Sequence, residues 1–340
     1  MIISSGNVQM QTAVLVAPEH IQLEERPIPR PGPGEVLIQV RYVAICGSDQ
    51  ARFWDRKPST GEPVVIGHEF SGRVVTLGAG VTTPPVSQLV TVAPLLNCEE
   101  CVLCQTERSN LCPQRRVFGR DVDGALQEYV AVRADRTFPL PPNVSARAGA
   151  LIEPLAVACH AIRRAGVEPN KSALVLGAGA IGLLIAQVWQ ALGGGPVAAV
   201  DLNESRLAVA AELGIPMWTG TPADPHIDTL FEATGSADAF VNWLPVLAPA
   251  GRAIVVGKPD RPVPIEWVGL MHKEAEIATS RYFTLNDFTQ AIQLVKDGQV
   301  SVSSLIGTIV PFRRLAEQAG QRIMAEARQV IRMLVEVHQE

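Results

Sequence analysis

The segment from Ser172 to Val200 carries no charged residue, and six glycines interrupt its otherwise apolar sequence. It is long enough to span a membrane as a helix, but the glycines and the polar Gln187 and Gln190 disfavour that interpretation. Strands of a parallel sheet are covered on both faces and therefore read as continuous apolar runs. The segment predicts a buried strand–helix–strand unit of an α/β fold, with strands at Ala173–Leu176 and Val197–Val200.

The turn after the first of these strands has the pattern G-x-G-x-x-G, formed by Gly177, Gly179 and Gly182. In this context the glycines permit a tight turn, close approach of the backbone to a pyrophosphate, and close helix–strand packing. The start of the following helix then offers N–H groups to the phosphates. Asp201 ends the second strand, where its carboxylate would bind ribose hydroxyls and repel a 2′-phosphate, which favours NAD over NADP. Arg206 follows in the next helix and either softens this preference or faces solvent.

Four cysteines lie in one short stretch with the spacing C-x2-C-x2-C-x7-C: Cys98, Cys101, Cys104 and Cys112. Four thiolates so close in sequence can enclose one tetrahedral Zn²⁺ and leave no position open, as in a structural site. A disulfide framework is disfavoured, because near neighbours on a tight turn rarely reach disulfide geometry and the chain is long and rich in aliphatic residues. An iron–sulfur cluster is the main alternative.

A second set of metal-binding residue types is scattered along the chain and comprises Cys46, His68, Glu69 and Glu153. Sulfur, nitrogen and oxygen donors in one set are typical of a zinc site that keeps a position open for substrate. Taken singly, each residue also has an ordinary interpretation, such as a core thiol, a buried imidazole or a solvated carboxylate. Their occurrence together favours the metal site.

The chain has 340 residues, enough for about two domains. Residues before the Pro141-Pro142 pair look β-rich, as in the alternating stretch Glu35 to Arg41, and those after it alternate between strand and helix. A formal charge of −5 gives no basic face for nucleic acid. The N-terminus has no lysine or arginine before an apolar run, so we expect no signal peptide and a cytoplasmic protein.

These motifs follow one another in an order that resembles the zinc-containing medium-chain dehydrogenases. The resemblance rests on Cys46–Asp49, Gly67–Gly72, Ile152–Pro154, the four-cysteine stretch and the glycine motif, and it covers nearly the whole chain. The nearest branch is that of the polyol dehydrogenases, including the sorbitol and galactitol-1-phosphate types, with threonine dehydrogenases close by. It implies an α/β fold with a GroES-like domain at 1–155 and 289–340, a zinc lobe at about 94–116, and a Rossmann domain at 156–288.

By this resemblance, Cys46, His68 and Glu153 bind a catalytic zinc, and Glu69 is a fourth ligand that exchanges with water or substrate. Ser48 would pass the substrate's hydroxyl proton towards solvent. Asp49 would hydrogen bond to His68 and orient it. The expected cofactors are therefore two zinc ions, one catalytic and one structural, and NAD.

The resemblance also assigns residues to the two small molecules. The expected cofactor-binding residues are Gly177, Gly179, Ile181, Gly182, Asp201, Arg206, Thr234, Gly257 and Arg281. The expected substrate residues are Arg52, Trp54 and Tyr282, since Arg281-Tyr282 matches a pair in polyol dehydrogenases and Arg52 matches an arginine of the galactitol-phosphate type. Arg56 and Lys57 would make the same wall of the cleft cationic.

Three departures from the family pattern are visible. Ala51 stands where sorbitol- and threonine-type relatives have a histidine, the stretch from Gly214 to Phe231 is short enough to omit a helix, and Gln329–Arg332 replaces a usual Gly-Lys or Leu-Lys. The implied reaction is hydride transfer from a secondary alcohol of a polyol, sugar or sugar derivative to NAD, by a homodimer or homotetramer with no nucleic-acid or membrane partner. The alternatives are a threonine or simple-alcohol dehydrogenase, and a non-catalytic nucleotide-binding relative.

Overall fold

The structure, a computed structural model, describes residues 9–55, 63–220 and 226–339. Arg56 and Lys57 lie outside the described residues. The strands of the described chain are β1 (Gln9–Ala17), β2 (His20–Pro27), β3 (Glu35–Ala44), β4 (Val64–Val65), β5 (Glu69–Leu77), β6 (Leu89–Val92), β7 (Leu95–Leu96), β8 (Arg116–Val117), β9 (Tyr129–Arg133), β10 (Thr137–Pro139), β11 (Ala173–Leu176), β12 (Val197–Val200), β13 (Ile227–Glu232), β14 (Leu247–Val255), β15 (Glu276–Thr279), β16 (Ile306–Pro311) and β17 (Arg332–Glu336).

The α-helices of the same residues are mostly short. They are α1 (Gly47–Trp54), α2 (Val102–Gln105), α3 (Ala146–Gly149), α4 (Ile152–Ala165), α5 (Ala180–Ala191), α6 (Glu204–Glu212), α7 (Ala237–Trp243), α8 (Trp267–Lys273), α9 (Leu285–Lys296) and α10 (Gln321–Ala327). The described chain divides into two compact units, the first up to Glu153 and again from Ile306, the second from Pro154 to Leu305.

The first unit is built on a seven-stranded sheet. Its strands follow the order β10-β6-β5-β3-β17-β16, and β9 also pairs with β3. The alternating pattern at Glu35 to Arg41 lies within β3, but most of this strand is buried because β5, β9 and β17 all pair with it. Apolar side chains on these strands, such as Phe70 and Val335, form one core cluster with Phe53 of α1.

Strand β17 brings the end of the chain to the start of α1. Leu334 pairs with Ala44 of β3, and the N–H of Ile45 donates to the carbonyl of Met333 at 3.0 Å. Arg332, the first residue of β17, is therefore placed beside Cys46, which caps α1.

The second unit is a parallel sheet in the order β12-β11-β13-β14-β15. The strands β11 and β12 have the bounds that the sequence predicts. A single parallel bridge from Ala199 to Met217 lies on the outer side of β12. Counting that bridge as a reduced third strand, the order is 3-2-1-4-5-6, the arrangement of a dinucleotide-binding sheet.

The stretch after Gly214 has no helix in its described residues, 215–220 and 226. The second unit ends at Leu305, so the boundary placed at 288/289 falls inside α9. The physical reason is at the start of that helix. Asp287 forms an ion pair with Arg163 of α4 at 2.7 Å, which joins the start of α9 to the second unit.

Candidate active site

Three donor residues of the first unit converge on one point. Cys46 is the residue before α1, and His68 and Glu69 lie at the start of β5. One ligand atom from each residue lies within 4.8 Å of the others, which makes the trio a possible metal site. Two of them, Cys46 and His68, are partly exposed, and Glu69 is buried.

Asp49 connects the two segments that carry these donors. Its carboxylate accepts hydrogen bonds from the N–H of Cys46 at 3.0 Å and from the N–H of Gly67 at 3.4 Å. The same carboxylate lies 3.4 Å from Nδ1 of His68. Since Nδ1 faces Asp49, Nε2 is the nitrogen left for a metal.

Glu69 is held by a residue to which the sequence assigned no role. Nη2 of Arg332 lies 2.9 Å from Oε1 of Glu69, and Nη1 donates to the carbonyl of Ile45 at 3.1 Å. The other oxygen of Glu69, Oε2, is buried and has no hydrogen-bond partner among the described residues. The only sequence signal was the unusual Gln329–Arg332 stretch, which marked a departure without indicating a partner.

The electrostatics of the trio suit a cation. Burial acts to raise the pKa of the Cys46 thiol, but the positive charges of Arg332 and His68 outweigh it and lower the pKa to about 5. Burial acts to lower the pKa of His68, and Asp49 and Cys46 outweigh it and raise that pKa well above its ordinary value. A field that favours an imidazolium also favours a metal ion at the same place. Thiolate, imidazole and carboxylate are the donor set of zinc, so these residues fit that ion.

Glu153 lies in the first turn of α4 and is 6% exposed. It is not within the 4.8 Å group formed by Cys46, His68 and Glu69. Burial, followed by the field of the neighbouring charges, in which Cys46 acts to raise the pKa and His68 to lower it, brings the pKa of Glu153 to about 7. The Glu153 carboxylate is thus close enough to Cys46 and His68 for their charges to affect its pKa, but it lies outside the group of three donor atoms.

The four clustered cysteines also converge. The Sγ–Sγ distances are 3.5 Å for Cys101–Cys104, 3.5 Å for Cys98–Cys112 and 3.9 Å for Cys98–Cys104, and all four cysteines are free thiols. Sulfurs around a tetrahedral zinc with bonds of ~2.3 Å would be about 3.8 Å apart. The spacing therefore fits one ion and is too small to enclose an iron–sulfur cluster.

A carboxylate inside this cysteine cluster ties it to the main sheet. Glu99 follows Cys98 with a positive φ of 65° and forms an ion pair with Arg133 at 2.8 Å. Arg136, which is 4% exposed, pairs with the same oxygen of Glu99. Arg133 ends β9 and Arg136 immediately precedes β10, so the two arginines anchor the lobe there.

The glycine motif shapes a groove at the carboxyl end of β11. Gly177 has φ +96°, and a Cβ on Gly182 would lie 1.8 Å from the carbonyl oxygen of Gly177. A Cβ on Gly179, by contrast, would meet nothing within 4 Å. Open space at the middle glycine, which caps α5 without a side-chain hydrogen bond, is what a bound pyrophosphate requires. Ile181 follows in the first turn of α5 and is partly exposed.

Asp201 lies beside this groove and is already engaged. It accepts hydrogen bonds from the N–H of Ala178 and from the N–H of Asn203, each at 2.8 Å. Nη1 of Arg206 lies 3.6 Å from its Oδ2. Arg206 therefore lies beside Asp201, and the Asp201 carboxylate fixes the glycine turn through the N–H of Ala178.

The remaining expected cofactor residues follow the next strands. Thr234 and Gly257 lie just beyond β13 and β14, at the same end of the parallel sheet. Arg281 and Tyr282 follow β15, with the guanidinium 4.6 Å from the ring centroid. Tyr282 has a positive φ of 56°. These residues belong to the second unit.

The expected proton-relay and substrate residues of the first unit lie on α1. Ser48 is exposed. Nη1 of Arg52 donates to the carbonyl of Arg120 at 3.0 Å. That carbonyl follows Gly119, where a Cβ would lie 2.8 Å from the N of Gly67, next to the metal-donor His68. Trp54 packs edge-on against Phe53, and the guanidinium of Arg328 covers its ring at 4.7 Å.

Two family models match the chain. The alcohol dehydrogenase GroES-like domain matches residues 32–142, and the zinc-binding dehydrogenase model matches residues 180–297. The chain is 32% identical to a probable D-xylulose reductase A of Aspergillus clavatus, over 96% of each chain. It is 34% identical to 2-dehydro-3-deoxy-L-galactonate 5-dehydrogenase of Pseudoalteromonas atlantica, over 83% of this chain and 86% of that one.

The fold agrees with these matches. An Escherichia coli CFT073 alcohol dehydrogenase, solved in complex with NADH, superposes with a TM-score of 0.88 and is 28% identical over 97% of this chain and 99% of that one. The chain belongs to the zinc-binding alcohol dehydrogenase family. The expectations of a GroES-like domain, a Rossmann domain, and an oxidoreductase with zinc and nicotinamide cofactors are confirmed.

Proposed function

We propose that this chain oxidises a secondary hydroxyl group of a polyol, a sugar or a sugar derivative, with NAD as the hydride acceptor. The observation that supports it most is the convergence of Cys46, His68 and Glu69 around a field that favours a cation. A non-catalytic relative that kept its zinc lobe only for structure would not need this set. The named relatives act on a xylulose and a galactonate derivative, which supports a polyhydroxylated substrate.

In this proposal the chain's residues position and polarise the substrate. Cys46, His68 and Glu153 would hold the zinc, and Glu69 would complete the set when substrate is absent. When bound, the zinc would act as a Lewis acid on the substrate oxygen and NAD would accept the hydride. Asp49 would hold the His68 ring in the tautomer that leaves Nε2 free. Ser48, exposed two residues after Cys46, would accept the hydroxyl proton and pass it to solvent.

The substrate class that we favour carries an anionic group, a carboxylate or a phosphate. Arg52 lies on α1, the helix that Cys46 caps, and Nη1 of its guanidinium donates to the carbonyl of Arg120. The neighbouring Gly119 packs against Gly67, next to His68. A guanidinium fork suits carboxylate and phosphate oxygens. The galactonate relative acts on an acidic sugar derivative, in agreement with this assignment.

The test is a substrate panel read by NADH absorbance, with neutral polyols, sugar acids, sugar phosphates, threonine and short alcohols. We expect steady NADH formation with members of the first three groups. Activity restricted to threonine or to short alcohols would support the alternative enzyme, and no turnover with any alcohol would support the non-catalytic alternative. Arg52→Ala should raise KM for an anionic substrate far more than for a neutral one, with the exposed Arg116→Ala as the matched control.

We also propose a cytoplasmic homodimer or homotetramer. The sheet of the second unit ends at β15, whose outer edge pairs with no other strand in the described chain. An uncovered edge strand is an aggregation hazard that pairing with a second copy removes. All six cysteines are free, which suits a reducing compartment. No helix of the described residues is long and apolar enough to cross a membrane.

A further inference from the structure

Glu232 is a buried carboxylate at the end of the parallel sheet that carries the glycine motif, and it takes no part in the proposed reaction. It is the last residue of β13 and is 1% exposed. Strand β13 is the neighbour of β11, which carries the glycine motif. The residue therefore lies at the point in the strand order where such sheets bind their nucleotide.

One oxygen of Glu232 accepts hydrogen bonds from the turn that follows β13. Oε1 accepts hydrogen bonds from the N–H of Thr234 at 2.6 Å and from the N–H of Gly235 at 2.8 Å. The hydroxyl of Thr234 donates to the same oxygen. Three donors on one oxygen of a buried carboxylate fix the backbone of residues 233–235.

This turn forms one wall of the glycine groove. A Cβ on Gly177 would lie 2.9 Å from Cγ2 of Thr234 and 3.3 Å from its N. Gly177 is thus in close contact with the turn that Glu232 holds. If Thr234 were displaced towards Gly177, its side chain would enter the space next to that glycine, which is the first of the motif.

The second oxygen of Glu232 faces the next loop along the sheet. Oε2 is buried and has no hydrogen-bond partner among the described residues. A Cβ on Gly257 would lie 2.6 Å from that oxygen and 2.4 Å from the N of Gly235. The carboxylate thus fills the space between two turns, and Gly257 leaves room for it.

We propose that Glu232 is a positioning residue for the nicotinamide cofactor, which sets the walls of the groove at Thr234–Gly235 and at Gly257 before the cofactor binds. The inference rests on the cofactor of the proposed function. The residue acts through the backbone turns that it holds. A groove set in advance reduces the ordering cost of binding.

Asp228 offers a matched control on the same strand. It is the second residue of β13, at the opposite end, and its carboxylate accepts hydrogen bonds from the N–H and the hydroxyl of Ser172 at 2.8 and 2.9 Å. Asp228→Ala and Glu232→Ala each remove an accepting carboxylate, at the two ends of one strand. Only the end that holds Glu232 lies beside the glycine groove.

The experiment measures the Kd of NADH by fluorescence titration, together with the melting temperature of the cofactor-free protein. We expect Glu232→Ala to raise the Kd about tenfold or more, because the three donors lose their acceptor. Glu232→Gln, which keeps an oxygen for those donors, should recover the Kd to within about threefold of the unmutated protein. Asp228→Ala should leave the Kd within about twofold, whatever it does to the melting temperature.

A Kd for Glu232→Ala within about twofold of the unmutated value would overturn the inference, as would equal weakening by Asp228→Ala. If Glu232→Ala does not fold, Gly257→Ala decides, since its methyl group would press on Oε2 and should also raise the Kd. An unchanged Kd in that folded variant would overturn the inference. Absence of NADH binding by the unmutated protein would instead contradict the cofactor of the proposed function.

Discussion

Nη2 of Arg332 lies 2.9 Å from Oε1 of Glu69, and these two side chains, 263 residues apart in sequence, are both buried. The pair joins the first residue of β17 to the first residue of β5, beside Cys46. Burial acts to raise the pKa of the Cys46 thiol, and the positive charge of the Arg332 guanidinium is the largest effect that lowers it. The C-terminal strand therefore contributes a charge to the metal-donor set as well as an element to the sheet.

Loss of Arg332 should destabilise the chain strongly. Arg332→Ala leaves the Glu69 carboxylate buried without its cation, and breaking a buried pair from one side costs ~3–5 kcal/mol. Urea unfolding of the zinc-free protein measures this free energy. Arg322→Ala is the matched control, since that arginine is 58% exposed and pairs with Glu326 on the surface, where we expect less than about 1 kcal/mol. Equal losses in the two variants would contradict the assignment.

Acid stability should depend on Asp287, which receives hydrogen bonds from His160, Arg163 and Thr284. Burial acts to raise its pKa, but these donors outweigh it and hold the pKa far below its ordinary value. A lowered pKa in the folded state contributes stability above the unfolded pKa of about 3.9, and this contribution is lost as pH falls towards the folded value.

The measurement is the free energy of unfolding of the unmutated chain and of Asp287→Asn from pH 7 down to pH 2.5. The difference should be about 2–4 kcal/mol at neutral pH and should shrink below about pH 4. Asp297→Asn, one helix length away at the exposed end of α9, should show little difference at any pH. A difference for Asp287→Asn that stays constant with pH would count against the ion-pair explanation.

The zinc lobe should release its metal faster when its anchor is removed. Glu99→Gln takes the counter-charge from Arg136, which is 4% exposed and also 3.7 Å from Asp135. We expect a cost of about 1–3 kcal/mol in the stability of the lobe. A chromogenic chelator reports the release rate, with Cys46→Ser as background so that only the lobe zinc is followed. Glu100→Gln, the same change at the exposed neighbouring residue, should leave the rate unchanged; acceleration by both would argue against a specific anchor.

NAD should be preferred over NADP because of Asp201. Removal of a charged hydrogen-bond acceptor for the ribose costs about 1.5–3 kcal/mol, so Asp201→Ala should weaken NAD binding roughly tenfold or more. The same change frees Arg206, whose Nη1 lies 3.6 Å from the Asp201 carboxylate, to bind a 2′-phosphate. The preference for NAD over NADP should therefore narrow. Titration of both cofactors measures this. Equal affinity for NAD and NADP in the unmutated chain would show that Asp201 does not discriminate between the two cofactors.

Local patterns predicted the parts of the structure that depend on neighbouring residues. The bounds of β11 and β12 follow from uninterrupted apolar runs, and Thr284 caps α9 in a capping box with Asp287, a pairing three residues apart in sequence. Strand β9 begins only at Tyr129, because the preceding Ala125 and Leu126 hydrogen bond to the loop of Gly67 and Ile66. The stretch from Ala125 to Val132 thus pairs with two different neighbours, which periodicity does not reveal.

Long-range contacts were not predictable in the same way. The residue types of the metal sites were visible because thiolate, imidazole and carboxylate donors occur in recognisable spacings. The pairing of Arg332 with Glu69 and of Arg136 with Glu99 depends on strand order and register, which no short window contains. The same is true of Glu232, whose partners are adjacent in sequence but whose position against Gly257 depends on the pairing of β13 with β14.

The central claim is that two separate donor sets each hold one zinc, and that only the set at Cys46 is needed for turnover. Zinc analysis of the purified, folded chain, alongside Cys46→Ser and Cys112→Ser, tests it most directly. We expect about two zinc ions per unmutated chain and about one in Cys46→Ser, which should remain folded and inactive. Cys112→Ser should lose stability, because a structural zinc contributes folding free energy. One zinc per unmutated chain after metal reconstitution, or full activity in Cys46→Ser, would contradict the account.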